Sequence, residues 1–350
     1  MSLNAAERAR YQRHLALREI GVTGQERLKA ARVLIVGAGG LGSPAALYLA
    51  AAGCGTLGLL DFDRVDVSNL QRQVLFDTAG LERPKAEAGR ERLAALNPEI
   101  HIVSHVLELQ AGNVREVLAG YDLVLDGTDR LATRYLVNDA CVLFGKSLVS
   151  AAIHRFEGQL ITYVPERGPC YRCLFPEAAE ALVPNCAEAG VLGVLPGVLG
   201  TLQATEAIKL ITGVGEPLIG RLLTYDALEM RFREFHVARR PDCAVCGVAP
   251  TITAPEDAAP ARAARAGVRR LSPAALDALL HPATPAGAPP LIDVREVWEF
   301  DTGHLQGAVN IPLGELPARL GEIGRGSAPV FICRSGGRSL NACNLALAAG

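Results

Sequence analysis

Apolar runs alternate with stretches of helical period along this chain. Residues 32–36 read as a buried strand and 56–60 as the next, with a glycine-rich turn and a helix between them. In that helix Ser43 is expected as N-cap, Pro44 as first helical residue and Gly53 just past the end. No residue from Val33 to Leu60 is charged, which imitates a membrane span, but Gly37, Gly39, Gly40, Gly42 and Pro44 break the run into two buried strands around a helix. Further apolar runs at 100–106, 121–125, 148–153 and 159–164 alternate with helix-like stretches at 85–96 and 130–144. This order predicts an α/β fold with a doubly wound sheet over residues 1–250. Residues 251–267 turn to Ala, Pro and scattered charge and are expected to be a linker. A second, smaller α/β unit is expected over 268–350, with a helix opened by Ser272-Pro273 and strands at 291–294 and 330–333.

Composition narrows the possibilities. At 350 residues the chain is long enough for two domains, and 49% hydrophobic with 21% charged residues is the balance of a globular protein. A net charge of -2, with no long run of one sign, argues against nucleic acid and membrane partners. The N-terminus carries Glu7, Arg8, Arg10 and Arg13 and no apolar stretch for a signal peptidase, so a cytoplasmic location is expected. There, nine cysteines point to metal ligands, nucleophiles or core thiols rather than a disulfide framework.

Gly37, Gly39 and Gly42 form G-x-G-x-x-G between a strand and a helix, where bare backbone lets a phosphate approach the helix N-terminus. A nicotinamide-dependent oxidoreductase is one reading, since Asp61 ends the second strand where a ribose-binding carboxylate sits. That reading leaves Ser68-Asn69-Leu70-Gln71-Arg72-Gln73 and Lys85 unexplained, because a diphosphate held by backbone amides needs no such cations. A triphosphate with its magnesium would use them all, together with Asp129 at the end of another strand. Solvated surface charges are the bland alternative for Arg13, Arg72 and Lys85.

These segments resemble the MoeB-like adenylyltransferases, relatives of the ubiquitin-activating enzymes. The matching stretches are Arg10-Tyr11-Gln12-Arg13, 37–42, Leu60-Asp61-Phe62-Asp63, 68–73, Pro84-Lys85, Asp126-Gly127-Thr128-Asp129 and Asn138-Asp139. The resemblance implies a Rossmann-like sheet, ATP bound by Gly40, Asp61, Arg72, Lys85 and Asp129, and Arg13 reaching into the partner subunit's site of a homodimer. Asp63, Ser68, Asn69, Leu70, Gln71 and Arg130 complete the expected nucleotide contacts.

Cys170-x-x-Cys173 and Cys243-x-x-Cys246 are pairs of the kind that clamp a tetrahedral zinc, and four thiolates leave no open position for catalysis. The resemblance points to zinc as well. Cys186 precedes an apolar stretch read as a helix, and its chemistry leaves a nucleophile and a packed, inert thiol equally open. In the two-domain relatives the matching cysteine is assigned a thioester role. Cys54, Cys141 and Cys343 read as core residues.

Cys333 ends a strand and opens Arg334-Ser335-Gly336-Gly337-Arg338-Ser339, a turn whose amides can converge on one anionic sulfur while two arginines lower its pKa. A cysteine-dependent phosphatase also closes amides and an arginine around a cysteine. Four residues between Cys333 and Arg338 make a tighter ring than the phosphatase loop, which favours a persulfide. With 291–295 and 303–312 upstream, this resembles the rhodanese (sulfurtransferase) loop. The rhodanese unit normally continues beyond the helix in which Gly350 falls, so the second domain is expected to be incomplete.

The resulting expectation is ATP-dependent adenylation of a Gly-Gly-ended, ubiquitin-like sulfur carrier. Cys333 would then deliver sulfur after a persulfide donor such as a cysteine desulfurase has loaded it, with Cys186 as a second thiol. The alternatives are the oxidoreductase and a module that docks a carrier without chemistry.

Overall fold

The computed structural model describes residues 2–176, 190–257, 268–280, 289–324, 327–334 and 336–349. Cys186 and residues 258–267 lie outside them. The described residues divide into two compact units, the first within 1–258 and the second within 259–350.

The first unit is built on an eight-stranded sheet: β1 (Arg32–Val36), β2 (Thr56–Leu60), β3 (His101–His105), β4 (Leu123–Asp126), β5 (Ser147–His154), β6 (Glu157–Tyr163), β7 (Arg221–Asp226) and β8 (Arg231–His236). Their spatial order is 3-2-1-4-5-6-7-8. Neighbours from β3 to β5 are parallel, whereas β5 to β8 pair antiparallel. The chain order reverses between β1 and β4, and in a parallel sheet that reversal opens a crevice beyond the carboxyl ends of the two strands. β1, β2 and β4 are apolar on both faces because helices cover both sides, and Leu34, Ile35, Leu57, Leu59 and Leu125 are fully buried.

The turns that leave these strands shape the crevice. Gly37 leaves β1 at φ +89, a conformation that favours glycine, and a Cβ there would lie 3.0 Å from the Gly127 carbonyl oxygen beyond β4. The helix Gly42–Ala52 then begins at Gly42 rather than behind Ser43. Ser43 is not the cap expected of it: its hydroxyl turns back to donate to the Ala38 carbonyl (3.0 Å), and its amide already bonds Gly39. Among the described residues no side chain caps that first turn. Gly53 ends the helix in the left-handed conformation, as its position predicts.

Residues 251–257, read as linker, are fastened to the first unit. The Thr251 and Ile252 amides both donate to Ala244 (2.8 Å), and Asp257 accepts from the Ala111 amide (2.8 Å). The second unit holds a three-stranded parallel sheet with β9 (Leu291–Asp293) between β10 (Val309–Asn310) and β11 (Val330–Ile332). Its small core gathers Ile292, Val294, Ile311, Leu316 and Ala342. No helix among the described residues is long and apolar enough to cross a membrane.

Candidate functional site

The turns at the switch point converge into one patch. Asp61, at the end of β2, is buried, and its two oxygens accept the amides of Ala38 and Asp63, each at 2.9 Å. Burial raises its pKa, opposed by the charge of Lys85 nearby. Lys85 opens the helix Lys85–Leu96 with its amide on the Asp63 carbonyl (2.9 Å) and its side chain 6% exposed. The ammonium meets Asp63, itself 55% exposed, at 3.2 Å.

Residues 68–73 approach the glycine turn through Arg72 and Gln73. Asp66 caps the turn Val67–Asn69 by accepting the Ser68 amide and hydroxyl, and the Asn69 carbonyl accepts the amides of Arg72 and Gln73. The Leu70 amide closes the same turn on Val67. Arg72 curls back so that Nη1 meets the Ser68 carbonyl (3.0 Å), and its Cδ would stand 3.7 Å from a Cβ at Gly40. A Cβ at Gly39 would lie 3.4 Å from Gln73 Nε2, and Gln71 backs onto Gly193. Gln73 is buried, and its Oε1 has no hydrogen-bond partner among the described residues.

Asp129 and Arg130 lie exposed in the turn after β4. Arg130 pairs with Glu108 and stacks over the Phe62 ring at 5.3 Å, which joins this turn to residues 61–63. Glycine turn, carboxylates, Arg72, Lys85 and Arg130 thus meet in one place. An exposed carboxylate in the turn that follows β4 is a ligand type that a largely hydrated magnesium takes. Arg13 stands apart from these contacts, exposed on the short helix Gln12–Leu15.

Beneath the patch lies a group that sequence reasoning missed. Asp126 and Arg134 are both buried and joined at 3.1 Å, and Gln203 donates to the carbonyls of Asp126 (2.8 Å) and Val149 (3.1 Å). The available signal was a charged residue inside the apolar pattern of 130–144.

The four paired cysteines come together as expected from their spacing. Their sulfurs all lie within 4.8 Å of one another as free thiols, with Cys170 to Cys243 at 3.6 Å and Cys173 to Cys246 at 3.4 Å. A zinc with four sulfurs at about 2.3 Å needs sulfur edges of about 3.8 Å, so the cluster fits it with little adjustment. The Arg240 amide donates to Cys173 at 3.4 Å. Cys54 and Cys141 are fully buried, and burial pushes both thiols up, Cys54 to about 12, so they are core residues. Cys343 is only half-buried on the helix Gly337–Ala349.

In the second unit the Cys333 sulfur is held by backbone. It accepts the amides of Gly336 (3.1 Å) and Ser339 (3.3 Å) and lies 3.5 Å from the Ser339 hydroxyl. Gly336 reaches this geometry at φ +92. Of the two arginines in this loop, Arg338 is buried and doubly paired with Glu299 at 2.5 and 2.8 Å, while Arg334 is exposed. Amides at the start of a helix line the sulfur.

The ThiF family matches residues 11–245. The chain belongs to the ThiF family. Its ThiF region is followed by a rhodanese-like domain at 272–350. Over an alignment of 358 positions the chain is 44% identical to a Mycobacterium tuberculosis protein named "Probable adenylyltransferase/sulfurtransferase MoeZ", covering 97% of this chain and 88% of that one. A Thermus thermophilus protein named "Sulfur carrier protein adenylyltransferase" is 53% identical over 248 residues, 69% of this chain and 92% of its own. Among solved structures, Escherichia coli MccB with ATP matches this ThiF-family chain with a TM-score of 0.62 and 26% identity, over 70% of this chain and 75% of MccB.

Proposed function

We propose that the first unit uses ATP to adenylate the C-terminal glycine carboxylate of a small ubiquitin-like sulfur carrier, and that the second supplies sulfur from a persulfide on Cys333. The observation that carries this reading is the patch itself: a bare glycine turn, the cations Arg72 and Lys85 and the exposed Asp129 meet at the switch point, in a chain that also holds an amide-cradled cysteine.

The carrier carboxylate attacks the α-phosphorus and pyrophosphate leaves, giving an acyl-adenylate. That acid is ionised at neutral pH, so no general base is needed. An anion approaches a polyanion, and further charge builds on the leaving group. Arg72 and Lys85 offset both, with the amides of 39–42 facing phosphate. Magnesium, when bound, neutralises phosphate charge, and Asp129 would hold it. Asp61 keeps the glycine turn in place. Arg13 is assigned to the partner subunit's site in a homodimer, which its exposure permits.

The outer sulfur of a Cys333 persulfide, loaded by a donor such as a cysteine desulfurase, then attacks the acyl carbon and AMP leaves. A second thiol, assigned to Cys186, attacks the resulting acyl disulfide at the Cys333 sulfur. The thiocarboxylate departs and a Cys333–Cys186 disulfide remains, which an external thiol reduces before the next turnover. The four-cysteine cluster is assigned a structural zinc, residues 258–267 a linker and the cytoplasm the location.

The test is mass spectrometry of a Gly-Gly-ended carrier incubated with the chain, ATP, magnesium and a persulfide donor. Replacement of one carboxylate oxygen by sulfur, lost in Cys333→Ala, supports the proposal. An unmodified carrier with the intact chain would count against it.

A further inference from the structure

Arg134 lies buried on the helix Leu131–Leu143, directly under the turn that presents Asp129. Its Nε donates to Asp126 Oδ2 at 3.1 Å, and its Nη2 donates to the carbonyls of Thr128 (2.7 Å) and Ala151 (3.0 Å). Asp126 answers from the other side: Oδ1 accepts the Thr128 amide (3.0 Å) and hydroxyl (2.7 Å), and Oδ2 accepts the Ser150 hydroxyl (2.8 Å). The guanidinium also lies 5.8 Å over the Tyr171 ring. Thr128 is therefore held at its amide, hydroxyl and carbonyl, and the carbonyl is one peptide bond from Asp129.

This turn leans on the glycine turn. A Cβ at Gly127 would lie 3.0 Å from the Gly42 nitrogen and 3.1 Å from the Gly37 oxygen, so the two turns pack too closely to admit a side chain between them. Stability alone does not explain the pair, since well-packed apolar residues in place of a buried ion pair are often as stable or more so. What a guanidinium fork supplies and a hydrocarbon cannot is a directional hold on three acceptors at once.

We propose that Arg134 is a positioning residue of the nucleotide site, fixing the Asp126–Asp129 turn against the glycine turn so that the Asp129 carboxylate stands where magnesium and phosphate require it. The inference rests on the adenylation reading above. Arg134→Lys keeps the charge and loses the fork. Because a chain left with a buried, half-paired Asp126 can fail to fold, Asp126→Asn/Arg134→Gln removes both charges together.

Three quantities are read: amide hydrogen exchange at Thr128 without nucleotide, the kcat and KM of carrier-dependent ATP–pyrophosphate exchange, and the magnesium concentration at half-maximal rate. Both variants should exchange the Thr128 amide faster, lose about 10²-fold in kcat with a much smaller change in KM for ATP, and need more magnesium. Wild-type values of all three in either folded variant would overturn the proposal. Should the unaltered protein show no carrier-dependent exchange, the adenylation reading fails. Amide exchange at Thr128 then still decides whether Arg134 holds the turn, and an unchanged rate there overturns the inference.

Discussion

Lys85→Ala should separate catalysis from folding. In the folded chain the side chain is 6% exposed and its ammonium meets the half-exposed Asp63 at 3.2 Å, so truncation removes the ion pair and a packed stem at a cost of about 1–3 kcal/mol. Against this, a cation at the first residue of the helix Lys85–Leu96 opposes the helix dipole at a cost of about 0.3–1 kcal/mol. The dipole term offsets part of this, and the buried Asp61 also loses its neighbouring cation, so the alanine variant should be destabilised by about 1–3 kcal/mol while remaining folded. Transition-state stabilisation is a different matter. A preorganised cation facing the triphosphate is worth about 3–4 kcal/mol, so carrier-dependent pyrophosphate exchange should fall by about 10²- to 10³-fold. The assay measures labelled pyrophosphate entering ATP, and thermal unfolding of the same sample provides the control. Exchange at the parental rate would refute the assignment, and so would a loss of rate matched by loss of the fold.

The same geometry sets other outcomes. Cys173→Ser should lower bound zinc and the melting temperature of the first unit, because closing four sulfurs around the metal is coupled to folding; unchanged zinc content by elemental analysis would contradict the cluster. Gly42→Ala would drive a Cβ into the Gly37 carbonyl oxygen and should destabilise the first unit by about 3 kcal/mol or more. Gly197→Ala, inside the helix Leu195–Thr212 with nothing among the described residues within 4 Å of the added Cβ, should be neutral or stabilising by about 1 kcal/mol in denaturant titrations. The Arg338 hydrogen bonds hold Glu299 below its ordinary 4.5, so the folded second unit binds that proton more weakly than the unfolded chain. Its contribution to stability is complete above about 4.5 and is lost as pH falls through the depressed value, and Glu299→Gln should flatten the acid limb of the unfolding profile.

The part of the fold legible in the sequence was the part governed by local pattern. β1 and β2 were readable because apolar runs with glycine punctuation bound them, and the helix from Lys85 because Pro84 precedes its helix-forming stretch. The cysteine cluster was readable because ligand spacing is itself local. β7 and β8 were not, since β8 is exposed along its length and mixes Arg231, Arg233 and Glu234 with Phe232 and Phe235, erasing the alternation of a half-buried strand. Ser43 has the residue type of an N-cap, but the sharp glycine turn puts the Ala38 carbonyl within its reach first. Pairings between distant residues were invisible for the same reason: nothing near Arg134 announces Asp126 as its buried partner, and nothing near Arg338 announces Glu299.

The central claim is that one switch-point patch joins a carrier's terminal acid to AMP. The most direct measurement is incorporation of labelled pyrophosphate into ATP by the purified chain with magnesium, with and without a ubiquitin-like carrier ending in Gly-Gly. Incorporation that requires the carrier and its last glycine is the predicted result; none with any such carrier, or equal incorporation without one, would contradict the claim.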